Sequence, residues 1–489
     1  MKSVSSITAA VRDYFTGTMK HPVGFLGINL TSFAGVLLVI LLVLESTGGA
    51  ANPYIGIVTF MILPALFVAG LLLMPLGHYL ARKRQARGQS DAALFPILDL
   101  NRGQTRNRFV IFLIVTLVNV SLLAVATYHG IEFMDSVEFC GETCHEVMHP
   151  ELTAYLNSPH SRVRCVDCHI GPGASWFVKS KLSGTRQVFA AMLKTYPRPI
   201  PTPVHNLRPA RETCEQCHWP QKFHGNKLVV KTHFQDDEAN TPMKSVLALR
   251  IGGGQDLPSG EASIHWHINN RVEYLSDENR EQMYWVLAER PDGTVREYFR
   301  PGLAAADPPT FASLPDSLKH HPKREMDCVD CHNRPTHIYK PALMALDEAM
   351  TLGRVPADLP YLHREAMAAL QESYPDKETG LARIRERLGS FYRTEYPDLA
   401  RERAADVEAA VNGVSRVYAD NVFPAMNISW DTYPNHIGHQ YFPGCFRCHD
   451  DEMATAEGET IAQDCASCHS LLAMEEENPE ILQDLFPED

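Results

Sequence analysis

Hydrophobic and polar positions divide the chain into two unlike parts. Long apolar runs fill the first quarter, whereas the remainder is polar and rich in histidine and proline. Three runs, at about 23–44, 55–76 and 109–128, have no charged residue inside them. Each is long enough to cross a bilayer, because a membrane-spanning helix needs about 20 mostly apolar residues. The pattern predicts a membrane anchor with three transmembrane helices over residues 1–131.

Basic residues predict the orientation of this anchor. The connector after the first run has no lysine or arginine, whereas the leader and the connector between the second and third runs are basic. Positive charge stays on the cytoplasmic side, so the N-terminus is expected in the cytoplasm and the chain after Tyr128 in the periplasm. The first run is long and lacks a small-residue cleavage motif, so no removable signal peptide is expected. The predicted location is the bacterial inner membrane.

Beyond the anchor, the pattern predicts a mainly α protein with a small β-rich insertion at 219–327. Apolar and polar residues alternate at Lys227–Phe234, Ile264–Tyr274 and Gln282–Phe299, with a turn signal at 291–293. Residues 342–423 show helical spacing with many Glu/Arg pairs, which predicts a solvated helical spacer. The net charge of -13 argues against a nucleic-acid partner.

The twelve cysteines form six pairs, and a histidine follows each pair. C-x-x-C-H is the attachment signature of c-type haem, in which two thioethers anchor the porphyrin and the histidine is the proximal ligand. Zinc ribbons and disulfides also use paired cysteines, but they leave the six histidines unexplained. Five pairs match the signature and the first has one extra residue: Cys140/Cys144/His145, Cys165/Cys168/His169, Cys214/Cys217/His218, Cys328/Cys331/His332, Cys445/Cys448/His449 and Cys465/Cys468/His469.

The sequence therefore predicts six covalent haems in a haem-packed periplasmic domain. Motifs 1–3 lie in residues 132–218, motif 4 in 328–341, and motifs 5 and 6 in 424–489, a segment that ends in an acidic tail. Haem iron that carries electrons usually has two axial protein ligands. The candidates for the distal position are Met148 for the first haem, and His160, His233, His265, His267, His337, His436 and His439.

Spacing narrows some of these assignments and leaves others open. His337 follows His332 by five residues, too close to bind the opposite face of the same iron, so it is expected at a neighbouring haem; His160 offers the same cross-ligation. In a strand His265 and His267 would point to one face, which leaves open whether both are ligands. The pair His436 and His439 is similarly ambiguous.

The chain resembles the NapC/NirT (NrfH-like) family of membrane-anchored multihaem quinol dehydrogenases. The resemblance rests on Phe139–His218, with Ser158-Pro-His160 ahead of motif 2 and Cys217-His218-Trp-Pro in motif 3, and on motif 4 with its His337. The remainder, including Tyr433-Pro-Asn-His436-Ile-Gly-His439, is similar to the longer three-span inner-membrane cytochromes of metal-reducing bacteria in that family.

The resemblance implies that membrane quinol, expected to be menaquinol, is oxidised near the first haem during anaerobic respiration. It implies a role for Lys181, with Lys179 as the alternative; Gln187 stands where the family typically has an acidic residue. Proton acceptors are sought among Asp135, Glu142 and Glu146. The electron acceptors implied are periplasmic cytochromes or reductases.

Two other functions compete with quinol oxidation. One is a passive electron-transfer subunit of a larger complex. The other is a terminal haem reductase, but haem nitrite reduction replaces a proximal histidine by lysine, and all six motifs here end in histidine. A homo-oligomer is compatible with each function.

Overall fold

The computed structural model describes residues 14, 18–19, 21–46, 62–87, 100–142, 145–171, 174–204, 209–252, 263–290, 292–303 and 308–486. It divides into two compact units. The first comprises Met1–Met134 and Ile170–Phe189, and the second comprises Asp135–His169 and Ala190–Asp489. The first unit thus holds the predicted membrane anchor, and the second holds all six cysteine pairs.

The chain is mostly helical with some sheet. The helices in chain order are α1 Pro22–Ser46, α2 Leu63–Gln85, α3 Gly103–Met134, α4 Val137–Gly141, α5 His145–Leu156, α6 Cys165–His169, α7 Ala174–Met192, α8 Ala210–Cys214, α9 Trp266–Asn269, α10 Asp316–Lys319, α11 Cys328–Cys331, α12 Ala342–Thr351, α13 Leu362–Leu370, α14 Lys377–Glu395, α15 Pro397–Glu402, α16 Ala404–Asn421, α17 Cys465–Cys468 and α18 Glu480–Leu485. The strands are β1 Asn226–Phe234, β2 Pro242–Arg250, β3 Val272–Ser276, β4 Met283–Glu289, β5 Val295–Phe299, β6 Arg324–Glu325 and β7 His469–Glu476.

Two helices among the described residues are long and apolar enough to cross a membrane, at Pro22–Leu41 and Leu63–Gln85. They correspond to the first two predicted spans. The third predicted span, 109–128, falls inside α3, which is 32 residues long. The helix is therefore present, but three membrane crossings are not confirmed.

Helices α1 and α2 pack closely and antiparallel through glycines. A Cβ atom on Gly77 would lie 2.2 Å from the backbone nitrogen of Gly24, and one on Gly27 would lie 2.9 Å from the carbonyl oxygen of Gly70. Small residues allow membrane helices to approach in this way. The antiparallel pairing puts the start of α1 at the same end as the basic last turn of α2, which contains Arg82, Lys83 and Arg84.

Helices α12 to α16 form a bundle with an apolar core. Ile384, Leu388 and Tyr392 lie on one face of α14 at helical spacing and are fully buried. The Asp376 side chain caps the start of α14 by accepting a hydrogen bond from the backbone N–H of Thr379. The helices were predicted correctly, but the expectation of a solvated spacer was wrong. The charged residues cover only one side of each helix, and the other side builds a core.

The described part of the insertion contains strands of two antiparallel sheets. One has the strand order β1-β2-β7 and the other has the order β5-β4-β3-β6. Strand β7 comes from the C-terminal segment and begins at the proximal histidine of motif 6, where Leu249 pairs with His469. The alternation at Ile264–Tyr274 suggested a strand over the whole segment. Instead, residues 266–269 form one helical turn, and the strand begins only at Val272.

Candidate haem sites

Four proximal histidines each face a histidine from outside the motifs. An iron bound by two imidazoles, with metal–nitrogen bonds of about 2 Å, separates their ring centroids by about 6 Å. The observed spacings fit this requirement for four of the six predicted haems. The ring centroids are 6.2 Å apart for His169 and His337, 6.0 Å for His218 and His160, 5.8 Å for His449 and His267, and 6.1 Å for His469 and His439.

Hydrogen bonds orient three of these outer histidines toward a metal. The Nδ1 atoms of His160, His337 and His267 each lie 3.0 Å from a backbone carbonyl oxygen, those of Pro335, Glu151 and Ile264 respectively. A carbonyl oxygen only accepts, so each Nδ1 carries the hydrogen and each Nε2 keeps its lone pair. Metal-bound histidines usually show this arrangement, because the second hydrogen bond fixes the tautomer and the ring direction.

The cross-ligation expected for His337 has a structural basis in helix α5. The Glu151 carboxylate lies 3.0 Å from Nδ1 of His337, in addition to the contact with the Glu151 carbonyl. Burial acts to raise the pKa of Glu151, but the hydrogen bond from His337, together with the charge of Arg334, lowers it overall. Sequence reasoning missed Glu151, because no local spacing connects it with a histidine 186 residues away.

His265 lies near motif 4, so both members of the His265/His267 pair are close to motif histidines. The pKa of His332 is lowered by burial and then by the charge of His265, followed by those of His218 and His160. Nδ1 of His265 contacts the carbonyl oxygen of Ile251 at 2.5 Å, which again leaves Nε2 with its lone pair. The helical turn at residues 266–269 separates the two rings, which a strand would have put on one face.

His436 and His233 lie in other surroundings. His436 is buried, with Nδ1 3.1 Å from the Asp330 carbonyl oxygen and Nε2 2.9 Å from the Glu281 carboxylate. This geometry leaves neither ring nitrogen of His436 for an iron. His233 instead contacts the Asp347 carboxylate, with Nδ1 at 3.0 Å from Oδ2.

The first motif is only partly within the described residues. Cys140 lies in α4 and Met148 in α5, where it is half-buried. Cys144 and the side chain of His145 lie outside the described part of the chain. The distal ligand of the first haem therefore stays a prediction.

The cysteine pairs are arranged in space in the order of the sequence. Motifs 1 and 2 meet where the side chain of Cys165 hydrogen-bonds to that of Cys140. Cys214 of motif 3 interacts with Cys168 of motif 2 and hydrogen-bonds to Cys328 of motif 4. Burial and then the nearby Cys445 and Cys448 of motif 5 raise the pKa of Cys331, and burial and then Cys445 raise the pKa of Cys468 of motif 6. None of the described cysteines forms a disulfide bond.

Comparisons with known proteins identify the family of the chain. The model of the N-terminal region of the NapC/NirT cytochrome c family matches residues 103–199, which include α3, motifs 1 and 2, and α7. The cytochrome c-type protein ImcH of Geobacter sulfurreducens is 40% identical over 464 residues, covering 94% of this chain and 90% of ImcH. The chain belongs to the NapC/NirT cytochrome c family. No solved structure matches it.

A NapC/NirT cytochrome has covalently bound haem c and membrane-anchoring helices, and it transfers electrons. In this member, a buried charge network connects motifs 4 and 5. The Asp330 carboxylate of motif 4 accepts hydrogen bonds from Tyr274 at 2.6 Å and Arg324 at 2.8 Å. Arg447 of motif 5 donates to the Asp330 carbonyl at 2.8 Å. Since the buried Asp330 is paired on several sides, the network can hold the two motifs at a fixed separation.

Helix α7 of this NapC/NirT cytochrome contains the residues expected at the quinol site. Lys181 is half-buried, and Gln187 is exposed and donates a hydrogen bond to the Ser183 hydroxyl at 3.2 Å. The ammonium of Lys179, the alternative, lies 4.8 Å from the centre of the Trp176 ring. The sequence of α7 contains no aspartate or glutamate. The carboxylates expected as proton acceptors, such as Asp135 and Glu142, therefore lie outside this helix.

Proposed function

We propose that this NapC/NirT cytochrome oxidises membrane menaquinol and delivers the electrons, through six covalent haems, to a periplasmic cytochrome or reductase. The observation that carries the proposal is the spatial order of the motifs, in which each cysteine pair from Cys140 to Cys468 lies near the next pair along the chain. When bound, the haems supply one-electron transfer between neighbouring irons. The polypeptide supplies their order, their spacing and their axial ligands.

The proposal assigns a distal ligand to each haem. His337, His160, His265, His267 and His439 are the distal ligands for motifs 2 to 6 respectively, and Met148 is retained for motif 1. The four facing histidine pairs would hold the haems of motifs 2, 3, 5 and 6 between two imidazoles, so these haems would have no open position for a substrate. This saturation favours an electron carrier over a terminal reductase, which needs a vacant coordination position.

The proposed topology has three crossings and a periplasmic haem domain. The antiparallel α1–α2 pair brings the basic end of α2 to the side of the N-terminus, as the positive-inside rule requires. Helix α3 then forms the third crossing and releases the chain after Tyr128 into the periplasm. Haem attachment to paired thiols needs those thiols on the exported side of the membrane.

Oxidation of a quinol releases two electrons and two protons. Lys181 is the residue proposed to donate a hydrogen bond to the quinol oxygen and to stabilise the negative charge that develops as a proton leaves. Gln187 cannot accept that proton, since an amide is not a base at neutral pH. We expect a carboxylate of Asp135, Glu142 or Glu146 to accept it.

The test is haem reduction by a menaquinol analogue in protein reconstituted into liposomes. Wild-type haem should become reduced within seconds, and Lys181→Ala should slow this reduction by about 10²-fold, as for loss of one donor to a developing oxyanion. Lys179→Ala should be reduced at the wild-type rate, whereas a slow Lys179→Ala and a normal Lys181→Ala would assign the role to Lys179, the alternative. Gln187→Glu restores an acidic residue and should accelerate the reaction.

Dithionite reduction of every variant shows whether the haems themselves are intact. A second outcome is wild-type haem that is not reduced during many seconds with the quinol analogue and yet accepts electrons from a partner protein. That result would support the passive electron-transfer subunit instead. Carbon monoxide binding to most of the reduced haems would support a terminal reductase, because binding requires an open iron.

A further inference from the structure

A second cluster of metal-binding side chains lies away from the cysteine pairs. It joins His233 on β1, Asp347 on α12 and His363 on α13, and their ligand atoms all lie within 4.8 Å of one another. Nδ1 of His233 is 3.0 Å from Oδ2 of Asp347, and Nε2 of His363 is 3.3 Å from Oδ1. Ligand atoms of a tetrahedral ion with bonds of 2.0–2.1 Å are about 3.3 Å apart, so the spacing suits such an ion.

The side chain of His363 is oriented as a metal ligand. Its Nδ1 lies 2.8 Å from the carboxylate of Asp236, which accepts the Nδ1 hydrogen, so Nε2 is the nitrogen that can offer a lone pair to a metal. The side chain is only 3% exposed, so Nε2 cannot bond to bulk water. Nε2 also has no hydrogen-bond partner of acceptable geometry within the protein. A carboxylate on one nitrogen and a metal on the other is a recurring arrangement of metal-bound histidine.

Asp347 is also buried, with a side chain that is 7% exposed. Its Oδ1 accepts a hydrogen bond from the backbone N–H of Phe234 at 3.1 Å, which fixes the carboxylate. A lone pair on Nε2 and a carboxylate oxygen repel each other at close range unless a metal ion or a proton lies between them. This buried pair is therefore suited to hold a positive charge.

We propose that His233, Asp347 and His363 bind a divalent transition-metal ion such as Zn²⁺. Two imidazoles and one carboxylate suit zinc better than Mg²⁺ or Ca²⁺, which prefer oxygen ligands only. The half-exposed side chain of His233 leaves one side of the ion open to a water. Asp236 is a positioning residue that acts through His363.

The ion would join the first sheet to the helical bundle. His233 lies on β1, which pairs with β2, and β2 pairs with β7, the strand that begins at the proximal histidine of motif 6. Asp347 and His363 lie on helices whose other residues form the bundle core. This inference is independent of the proposed quinol oxidation, since none of its ligands is assigned to a haem.

The test measures zinc on the detergent-purified, haem-loaded protein. After treatment with a chelator and dialysis against micromolar Zn²⁺, elemental analysis should give about one zinc per chain beyond the haem iron. Asp347→Ala and His233→Ala should bind none, and Asp236→Ala should bind 10–100-fold more weakly. His320→Ala removes an exposed histidine outside the cluster and should keep the full zinc content.

Haem content and helical circular dichroism show whether each variant folds. If Asp347→Ala does not fold, His233→Ala decides, because its side chain is 42% exposed and its loss creates no buried cavity. Wild-type protein without bound zinc, or zinc that persists in folded His233→Ala, would overturn the proposal. The cluster would then be a hydrogen-bonded group with a protonated His363.

Discussion

The helical bundle at 342–423 and the region of the cysteine motifs are built by different means. In the bundle, residues such as Leu346, Leu362 and Leu388 are fully buried against one another. Around the motifs, imidazoles face each other across gaps of about 6 Å and cysteine side chains meet in pairs. The bundle completes its core with its own side chains, whereas the motif region is organised around facing imidazoles and paired thiols. We therefore expect only the second region to depend on haem for its order.

Loss of one motif in the middle of the series should have the largest effect. In the double variant Cys328→Ala and Cys331→Ala, motif 4 has no thiols, so intact-mass measurement should show one haem fewer than in the wild type. Quinol-driven reduction of an external acceptor should fall to background, because motif 4 connects motifs 3 and 5. Full turnover with one haem missing would show that motif 4 is outside the electron path.

A core substitution in the bundle should reduce stability without changing the haem content. Leu388 is fully buried, so Leu388→Ala should lower the free energy of unfolding by about 2–5 kcal/mol. Leu352→Ala, at a residue that is 55% exposed, should change it by about 0.5 kcal/mol or less. Urea titration monitored by circular dichroism measures both. Loss of haem from Leu388→Ala would contradict the separation between the two regions.

Removal of one distal histidine should open one iron in six. Reduced His439→Ala should bind carbon monoxide at about one haem per chain, since its ring faces His469 at 6.1 Å. His436→Ala is the matched control, because both nitrogens of His436 are already hydrogen-bonded within the protein. Carbon monoxide spectra of the two variants distinguish them. Binding in His436→Ala but not in His439→Ala would reverse the assignment.

The smallest expected effect is a pH dependence within the bundle. Burial lowers the pKa of Lys377 to about 8 from an ordinary value of 10.5. Between these values the unfolded chain binds more protons than the folded one, so stability should rise as the pH increases from about 8 to 10.5. Lys377→Met should be more stable than wild type at pH 7 and should lack that rise. The thermal midpoint of each protein is measured at pH 7 and pH 10. An equal change in midpoint between the two pH values for both proteins would contradict the prediction.

The sequence predicted features that depend on neighbours along the chain. The attachment motifs require only the spacing of Cys140, Cys144 and the other paired thiols, and the apolar runs require only length and lack of charge. Helical spacing also predicted the bundle helices. The buried face of α14 was missed, because many charged residues on the opposite face suggested full solvation.

Contacts between distant residues could not be predicted in this way. The alternation at His265 and His267 suggested a strand, but local hydrogen bonding formed a helical turn that separates the two rings. Likewise, the sequence offered His233 and His436 as haem ligands on the same terms as His439. Their different surroundings follow from packing against Asp347 and Asp330, which no spacing rule includes.

By itself, the sequence determined the number of attachment motifs, the apolar segments and the family resemblance, since all three are properties of local order along the chain. Only the tertiary structure decided which histidine faces which motif, that β7 joins the sheet of the insertion, and that three side chains from β1, α12 and α13 meet. The physical reason is that axial ligation and sheet pairing join residues through space, and their partners are selected when the whole chain packs.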